Sequence, residues 1–266
     1  TPYGFSGFPA RDRVGTLMIG ASIKRKEDPR LLTGRGKYAA DVRLPGMVHA
    51  AFLRAPHAHA GLGQIETAAA LALPGVLAVV TARDLGDVGR IPVRLGPRPS
   101  VVACLQPPLA TGKVRYVGEP VAVVFAESPY LAEDALELIG VEYEPLRAVT
   151  DARRAIEPGG PVVHEAIGGN IVDRLSTRTG DVATALTGTE VRLSERFAIQ
   201  RHTGVPLETR GLSAAYDAGT RVLTLWGVAK VPHFNRRVLS ELLGYPEHLI
   251  HFIELEVGGG FGVRGE

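Results

Sequence analysis

The sequence predicts an α+β fold, and three observations carry that reading. Val121 to Phe125 (VAVVF) is a β-branched, almost wholly apolar run of the kind that forms a strand. Ser128-Pro129 then opens a helix with Leu131, Ala132, Ala135, Leu136 and Leu138 on its apolar side, and Val141 to Tyr143 returns as a strand. Strand, helix and strand over this length make a sheet layer with a helix on one face. The chain has 266 residues, 45% apolar and 22% charged, which suits one large domain or two modest ones at ~100–200 residues each. A chain of this size buries roughly 70–75% of its unfolded surface and needs no disulfide or zinc to fold.

The remaining elements follow in order. Pro2, Gly4, Gly7, Pro9 and Gly15 mark an extended arm over residues 1–21. Asp28-Pro29-Arg30-Leu31-Leu32 offers an N-cap, a proline at the first helical position and an apolar pair, hence one short helical turn that Gly34 and Gly36 stop. Met47 to Leu53 alternates roughly as a strand does. Thr67 to Leu73 is an alanine-rich helix closed by Pro74-Gly75, and Val76 to Val80 is a short buried strand. Gly118-Glu119-Pro120 is the turn that leads into the VAVVF strand. Composition shifts at Glu157-Pro158-Gly159-Gly160-Pro161, which reads as a linker. Beyond it, Val191 to Ile199 and Arg221 to Gly227 are strand-like, separated by a loop from Thr203 to Arg210. Pro232 to Leu243 is a helix ending at Gly244, and Ile250 to Val257 is a strand that runs into Gly258-Gly259-Gly260-Phe261-Gly262.

Charge and cysteine content exclude several function classes. A net charge of +2 is too balanced to predict nucleic acid or acidic lipid as a partner. No apolar run reaches the ~18–20 residues of a membrane span. Thr1 to Arg13 shows no charged-then-apolar leader, so the expected location is the cytoplasm; the missing initiator Met points to processing or trimming. The single cysteine, Cys104, excludes an internal disulfide and a cysteine-ligated iron–sulfur cluster within this chain, since the cluster takes about four thiolates. Any redox chemistry here must pass its electrons to another chain.

The glycine loop after the last strand is the most informative candidate for chemistry. Three consecutive glycines let backbone approach a bound group closely, and such loops present N–H donors to anionic oxygens. The spacing matches neither a dinucleotide fingerprint nor a P-loop, and a ligand-free turn is the competing reading. Gly34-Arg35-Gly36-Lys37-Tyr38-Ala39 spells G-x-G-x-x-A but has no strand before it and no helix after it. His57 and His59 stand two apart, as in some metal sites, but no third ligand is near, and a bend after a strand is the stronger reading. His233, at a helix start, faces a pocket or caps a loop. Glu208, in Pro206-Leu207-Glu208-Thr209-Arg210, is either a member of a surface ion pair or a general base with no partner identifiable from spacing.

Together these segments resemble one family. Ile23 to Gly34 (IKRKEDPRLLTG) resembles the opening of the molybdenum-binding subunit of the xanthine dehydrogenase, aldehyde oxidase and carbon monoxide dehydrogenase family. Asp41-Val42 through Pro45-Gly46-Met47, Arg54-Ala55-Pro56-His57-Ala58 and Tyr116 to Ala122 (YVGEPVA) resemble that family's α/β hammerhead domain. Pro206 to Gly211 is similar to a strand-loop of the next domain, and Val257 to Gly262 to its glycine–phenylalanine loop beside the molybdopterin.

The resemblance implies an extended arm at 1–21, a hammerhead domain at 22–150, a linker at 151–161 and the incomplete start of a molybdopterin-binding domain at 162–266. It implies an enzyme: molybdenum held by a pterin dithiolene, with the cytosine dinucleotide form among the options, oxidises an aldehyde, N-heterocycle or similar small substrate with oxygen from water. Iron–sulfur clusters and FAD then belong to partner chains, a 2Fe–2S subunit and an FAD subunit, beside the remainder of the molybdenum subunit. By resemblance, Gly259, Gly260, Phe261 and Gly262 bind the cofactor, with Gly260 expected in a positive-φ conformation. Lys230 stands where the family usually has Gln, exchanging a donor-and-acceptor amide for a cation. The family's catalytic glutamate lies far beyond the glycine loop, so no catalytic residue is assigned here, and Glu266 does not take the role of the family's loop glutamate. The alternative is a non-catalytic hammerhead scaffold that binds partner subunits without cofactor.

Overall fold

A computed structural model describes residues 19–93 and 98–264. The arm expected at residues 1–21 lies outside the described residues up to residue 18, as does Glu266. The first element, α1 (Asp28–Leu32), forms where Pro29 presets φ, and Gly34 follows it at φ 70°. Glu27 rather than Asp28 occupies the N-cap position. Asp28 is the first helical residue, and its carboxylate accepts from Nε of Arg25 at 2.8 Å.

The chain continues through β1 (His49–Arg54), β2 (Ala60–Glu66), α2 (Ala68–Leu71), β3 (Val76–Thr81), α3 (Ala82–Leu85), α4 (Pro99–Ala103), β4 (Lys113–Val114), β5 (Pro120–Ala126), α5 (Pro129–Leu136) and β6 (Gly140–Pro145). The strands form two antiparallel sheets, ordered β1-β5-β3 and β4-β2-β6. The apolar β5 is central because it serves both cores. Ala122, Val124 and Ala126 point to one side, where they cluster with Ala132 and Ala135 of α5 and with Ile139. Val121 points to the other, against Ala55, Ala60, Ala110 and Val114. Val121 and Val124 are fully buried, each contributing roughly 1.5–3 kcal/mol relative to exposure.

The YVGEP turn before β5 is locked from within. Gly118 takes φ 91°, and Nη1 of Arg54 donates to its carbonyl at 2.9 Å. The buried Glu119 accepts from the Arg115 N–H at 2.5 Å; burial pushes its carboxyl pKa up, against the opposing pull of that N–H and the Arg115 charge. His57 and His59 precede β2 in a bend. The His57 ring lies 4.9 Å from that of Tyr143 at a tilt, and the buried His59 directs Nδ1 to the Arg147 carbonyl at 3.1 Å. Residues 151–161 carry a short turn of 3-10 helix at Arg154–Ile156. Asn170 ties the stretch down by donating to the Ala155 and Pro161 carbonyls at 2.9 and 2.8 Å.

The second half holds α6 (Val182–Thr187), β7 (Leu212–Asp217), β8 (Val222–Gly227), α7 (Pro232–Leu243) and β9 (Ile250–Glu254). Its sheet is ordered β7-β8-β9: β7 and β8 form an antiparallel pair, whereas β8 and β9 run parallel with α7 as the crossover between them. Gly244 ends α7 in the left-handed region at φ 58°. The strand expected at Val191 to Ile199 is not formed. Its alternating Val191, Leu193, Phe197 and Ile199 are 74–88% exposed, and no strand among the described residues pairs with it. Alternation marks a face, but an extended segment becomes a strand only when its N–H and C=O groups find a neighbour.

Candidate functional site

The parallel pair β8–β9 sets the geometry of the site. In a parallel α/β arrangement, ligands bind outside the carboxyl ends of the strands, where connecting loops supply backbone donors. Gly227 and Glu254, the last residues of β8 and β9, are register partners. Two candidate segments leave from that same end: Val228 to Val231, which leads into α7, and Leu255 to Arg264, which contains the glycine loop. The two exits are stitched together. The Ala229 N–H donates to Oε1 of Glu254 at 3.3 Å, and the Leu255 N–H to the Gly227 carbonyl at 3.1 Å.

The loop is held from behind and open in front. Gly259 and Gly262 adopt φ 109° and 84°, and Phe261, a non-glycine residue, is held at φ 44°. Gly260 is not in the left-handed region, so the expected positive φ belongs to its neighbours. The Gly260 carbonyl accepts from the Val263 N–H at 2.8 Å, closing the turn. Among the described residues, the N–H groups of Gly259, Gly260, Phe261 and Gly262 donate to no protein acceptor. Four successive free donors in a turn form a concavity suited to anionic oxygen or sulfur. The Phe261 side chain is 77% exposed and lies over Gly204, where an added β-carbon would come within 2.7 Å of Phe261 Cβ.

Glu208 lies behind this loop. Its side chain is 14% exposed, and its carboxylate accepts from the Gly258 N–H at 2.8 Å, from Nη2 of Arg264 at 3.1 Å and from the Ala39 N–H at 3.3 Å. Arg264, 8% exposed, also donates to the carbonyls of Gly259 at 2.7 Å, Glu208 at 2.5 Å and Thr209 at 3.3 Å. Arg210 adds a bond to the Val263 carbonyl. Glu208 is therefore neither a surface ion-pair member nor a free base, because its carboxylate is committed to three donors. Sequence reading did not single out Arg264 or Gly204, and nothing in linear spacing marks them, since Arg264 and Glu208 stand 56 positions apart.

Lys230 and His233 are exposed at the same sheet end, at and just before the start of α7. No hydrogen bond joins Lys230 to the glycine loop among the described residues. The G-x-G-x-x-A stretch from Gly34 to Ala39 follows a helix rather than a strand and leads into a 3-10 turn at Ala39–Asp41. It runs against the second half, with the Lys37 carbonyl accepting from the Glu256 N–H at 3.0 Å and Arg30 paired to Glu256. Among the described residues, no three His, Cys, Asp or Glu side chains gather as metal ligands.

Comparison with known proteins gives this geometry its context. Residues 33–147 match the family model described as aldehyde oxidase and xanthine dehydrogenase, a/b hammerhead domain, and residues 163–266 match that of the molybdopterin cofactor-binding domain. The chain belongs to the xanthine dehydrogenase and aldehyde oxidase family. Within that family it is 40% identical to the nicotine 6-hydroxylase large subunit of Paenarthrobacter nicotinovorans, over 93% of this chain and 30% of that protein. It is 39% identical to the carbon monoxide dehydrogenase large chain of Afipia carboxidovorans, over 92% of this chain and 31% of that one. The solved quinoline 2-oxidoreductase of Pseudomonas putida 86 superposes with a TM-score of 0.82 at 40% identity, covering 92% of this chain and 31% of that structure. The chain thus spans about a third of the length of the family members it matches. It carries the hammerhead domain followed by the start of the molybdopterin-binding domain.

Proposed function

We propose that this chain is the N-terminal part of a molybdenum hydroxylase large subunit and that its glycine loop forms one wall of the molybdopterin site. The observation that carries this reading is the set of unclaimed N–H groups from Gly259 to Gly262 at the carboxyl end of the β8–β9 pair. The residues present fit the group: donors without acceptors meet a dithiolene and oxo group that offers acceptors without donors. When bound, the cofactor supplies two-electron oxidation of an electron-poor carbon with oxygen from water, on an aldehyde, N-heterocycle or similar small substrate.

This chain's residues bind and orient. Each backbone N–H to an anionic atom contributes about 1.5–3 kcal/mol, so two or three of them suffice to fix one edge of the group. Lys230 supplies a positive charge at the same sheet end. In its exposed state a unit charge about 4 Å away is worth only about 1 kcal/mol, rising to about 4 kcal/mol once a bound group lowers the effective dielectric to about 20. Its share therefore depends on cofactor burial, and the backbone donors dominate. The domain boundaries that go with this reading are a hammerhead domain at 22–150, a linker at 151–161 and the cofactor domain from 162. The cytosine dinucleotide form of the cofactor, clusters and FAD on partner chains, and a cytoplasmic location complete the reading; the lone Cys104 supports the separate cluster subunit.

Gly260 provides the test. A β-carbon there meets no atom within 4 Å, so Gly260→Val leaves the loop unstrained and adds bulk only on its open side. Molybdenum and pterin should fall to a small fraction of wild type in the purified Gly260→Val complex with its melting temperature unchanged, while Lys230→Gln retains both. A wild-type complex that assembles without molybdenum or pterin would instead favour the scaffold reading.

A further inference from the structure

We propose that the buried Glu208–Arg264 pair is the positioning device of the glycine loop and couples it to the hammerhead domain through Ala39. This rests on the reading of the loop as a molybdopterin wall. Within one trans peptide unit the C=O and N–H point in opposite directions. Arg264 Nε holds the Gly259 carbonyl at 2.7 Å, so the Gly260 N–H of that same unit faces away from Arg264. The Val263 N–H holds the Gly260 carbonyl, which turns the Phe261 N–H outward in the same manner. The Glu208 carboxylate fixes the Val257–Gly258 unit by taking the Gly258 N–H at 2.8 Å, and the Glu208 N–H fixes the Gly258–Gly259 unit by donating to the Gly258 carbonyl at 3.2 Å. Glu208 and Arg264 thereby set which way the three successive units from Val257 to Gly260 face, the Val263 N–H sets the next, and the free donors are what remains on the open side.

The same carboxylate reaches Ala39, which lies in the segment matching the hammerhead domain. Arg30 to Glu256 and the Glu256 N–H to the Lys37 carbonyl run alongside it. A shift of the hammerhead segment against the second domain is therefore felt first at Glu208 and next at Gly258. Both side chains are nearly buried, so removing one leaves an uncompensated charge rather than a solvated one.

The test uses the assembled complex carrying Glu208→Gln or Arg264→Lys, with Val124→Ala in the hammerhead core as a destabilised control. Molybdenum and pterin per complex, the Mo(V) electron paramagnetic resonance spectrum and the melting temperature are measured together. Both pair variants should lose at least threefold of the molybdenum, and the metal that stays should show shifted g-values. The Val124→Ala complex should keep full metal and an unshifted spectrum at an equal or lower melting temperature. Arg264→Lys keeps the charge, so it decides the matter if Glu208→Gln does not assemble. Wild-type metal content and spectrum in Arg264→Lys would overturn the positioning role while leaving the loop reading intact. A wild-type complex with neither molybdenum nor pterin would overturn both.

Discussion

A β-carbon built on Gly258 would lie 2.3 Å from Cβ of Glu208, whereas one built on Gly260 meets open space. These neighbouring glycines are needed for different reasons, the first by the protein and the second by whatever the loop faces. Gly258→Ala should therefore cost about 1–3 kcal/mol in a denaturant titration, because Glu208 must move and its three donors with it. An unchanged midpoint would show that Glu208 yields freely. At this scale the sequence was only partly legible. The glycine run and Phe261 marked the loop, but composition does not say which peptide plane turns: the left-handed residues are Gly259, Phe261 and Gly262. Glu208 stood out as a charged residue between strands, yet the partner that makes it a buried clamp is brought to it only by the fold.

Helix α5 is the element where sequence and structure agree most closely. Ser128 Oγ accepts from the Leu131 N–H at 3.2 Å, Pro129 opens the helix, and Ala132 and Ala135 face the sheet. Ser128→Ala should lower stability by about 1 kcal/mol, within the 0.5–2 kcal/mol typical of a lost N-cap, as read by urea unfolding. Strands β3, β5, β6, β8 and β9 and helix α7 were legible from β-branched residues or from helical spacing with a glycine stop, and β1 from its alternation. Strand β2 was not. Its glycines suppress any strand signal, and they are there because Gly61 and Gly63 make room for the side chains of Glu144 and Glu142 on β6. The segment from Val191 to Ile199 failed in the opposite sense, showing strand periodicity without a strand partner.

At the scale of the whole molecule, the two halves meet around His164. Nε of Arg115 donates to the Val163 carbonyl at 3.2 Å, and Lys113 pairs with Glu165. Burial lowers the His164 pKa, and the Arg115 charge lowers it further, against a weaker pull from Glu165. The folded state therefore binds fewer protons here than the unfolded chain, and stability rises with pH across this window. The contribution is fully present above the ordinary histidine value of about 6.5 and is lost as pH falls through it toward the lower folded value. Melting temperatures should drop between pH 7 and pH 5.5, and His164→Gln should flatten that slope. An equal slope in the variant would assign the effect to other groups.

The central place of β5 also has a consequence in time. A ribosome delivers β1 first, but the strand that completes its sheet begins some 65 residues later, after Pro120. At about 5–20 residues per second, β1 waits roughly 3–13 s and β3 roughly 2–8 s with their apolar faces uncovered. Neither core closes in that interval, because Val121 fills one and Val124 the other. The hammerhead half therefore condenses late, once β5 has emerged with α5 and β6 close behind it, and nascent chains paused before Val121 are the ones that most need a chaperone.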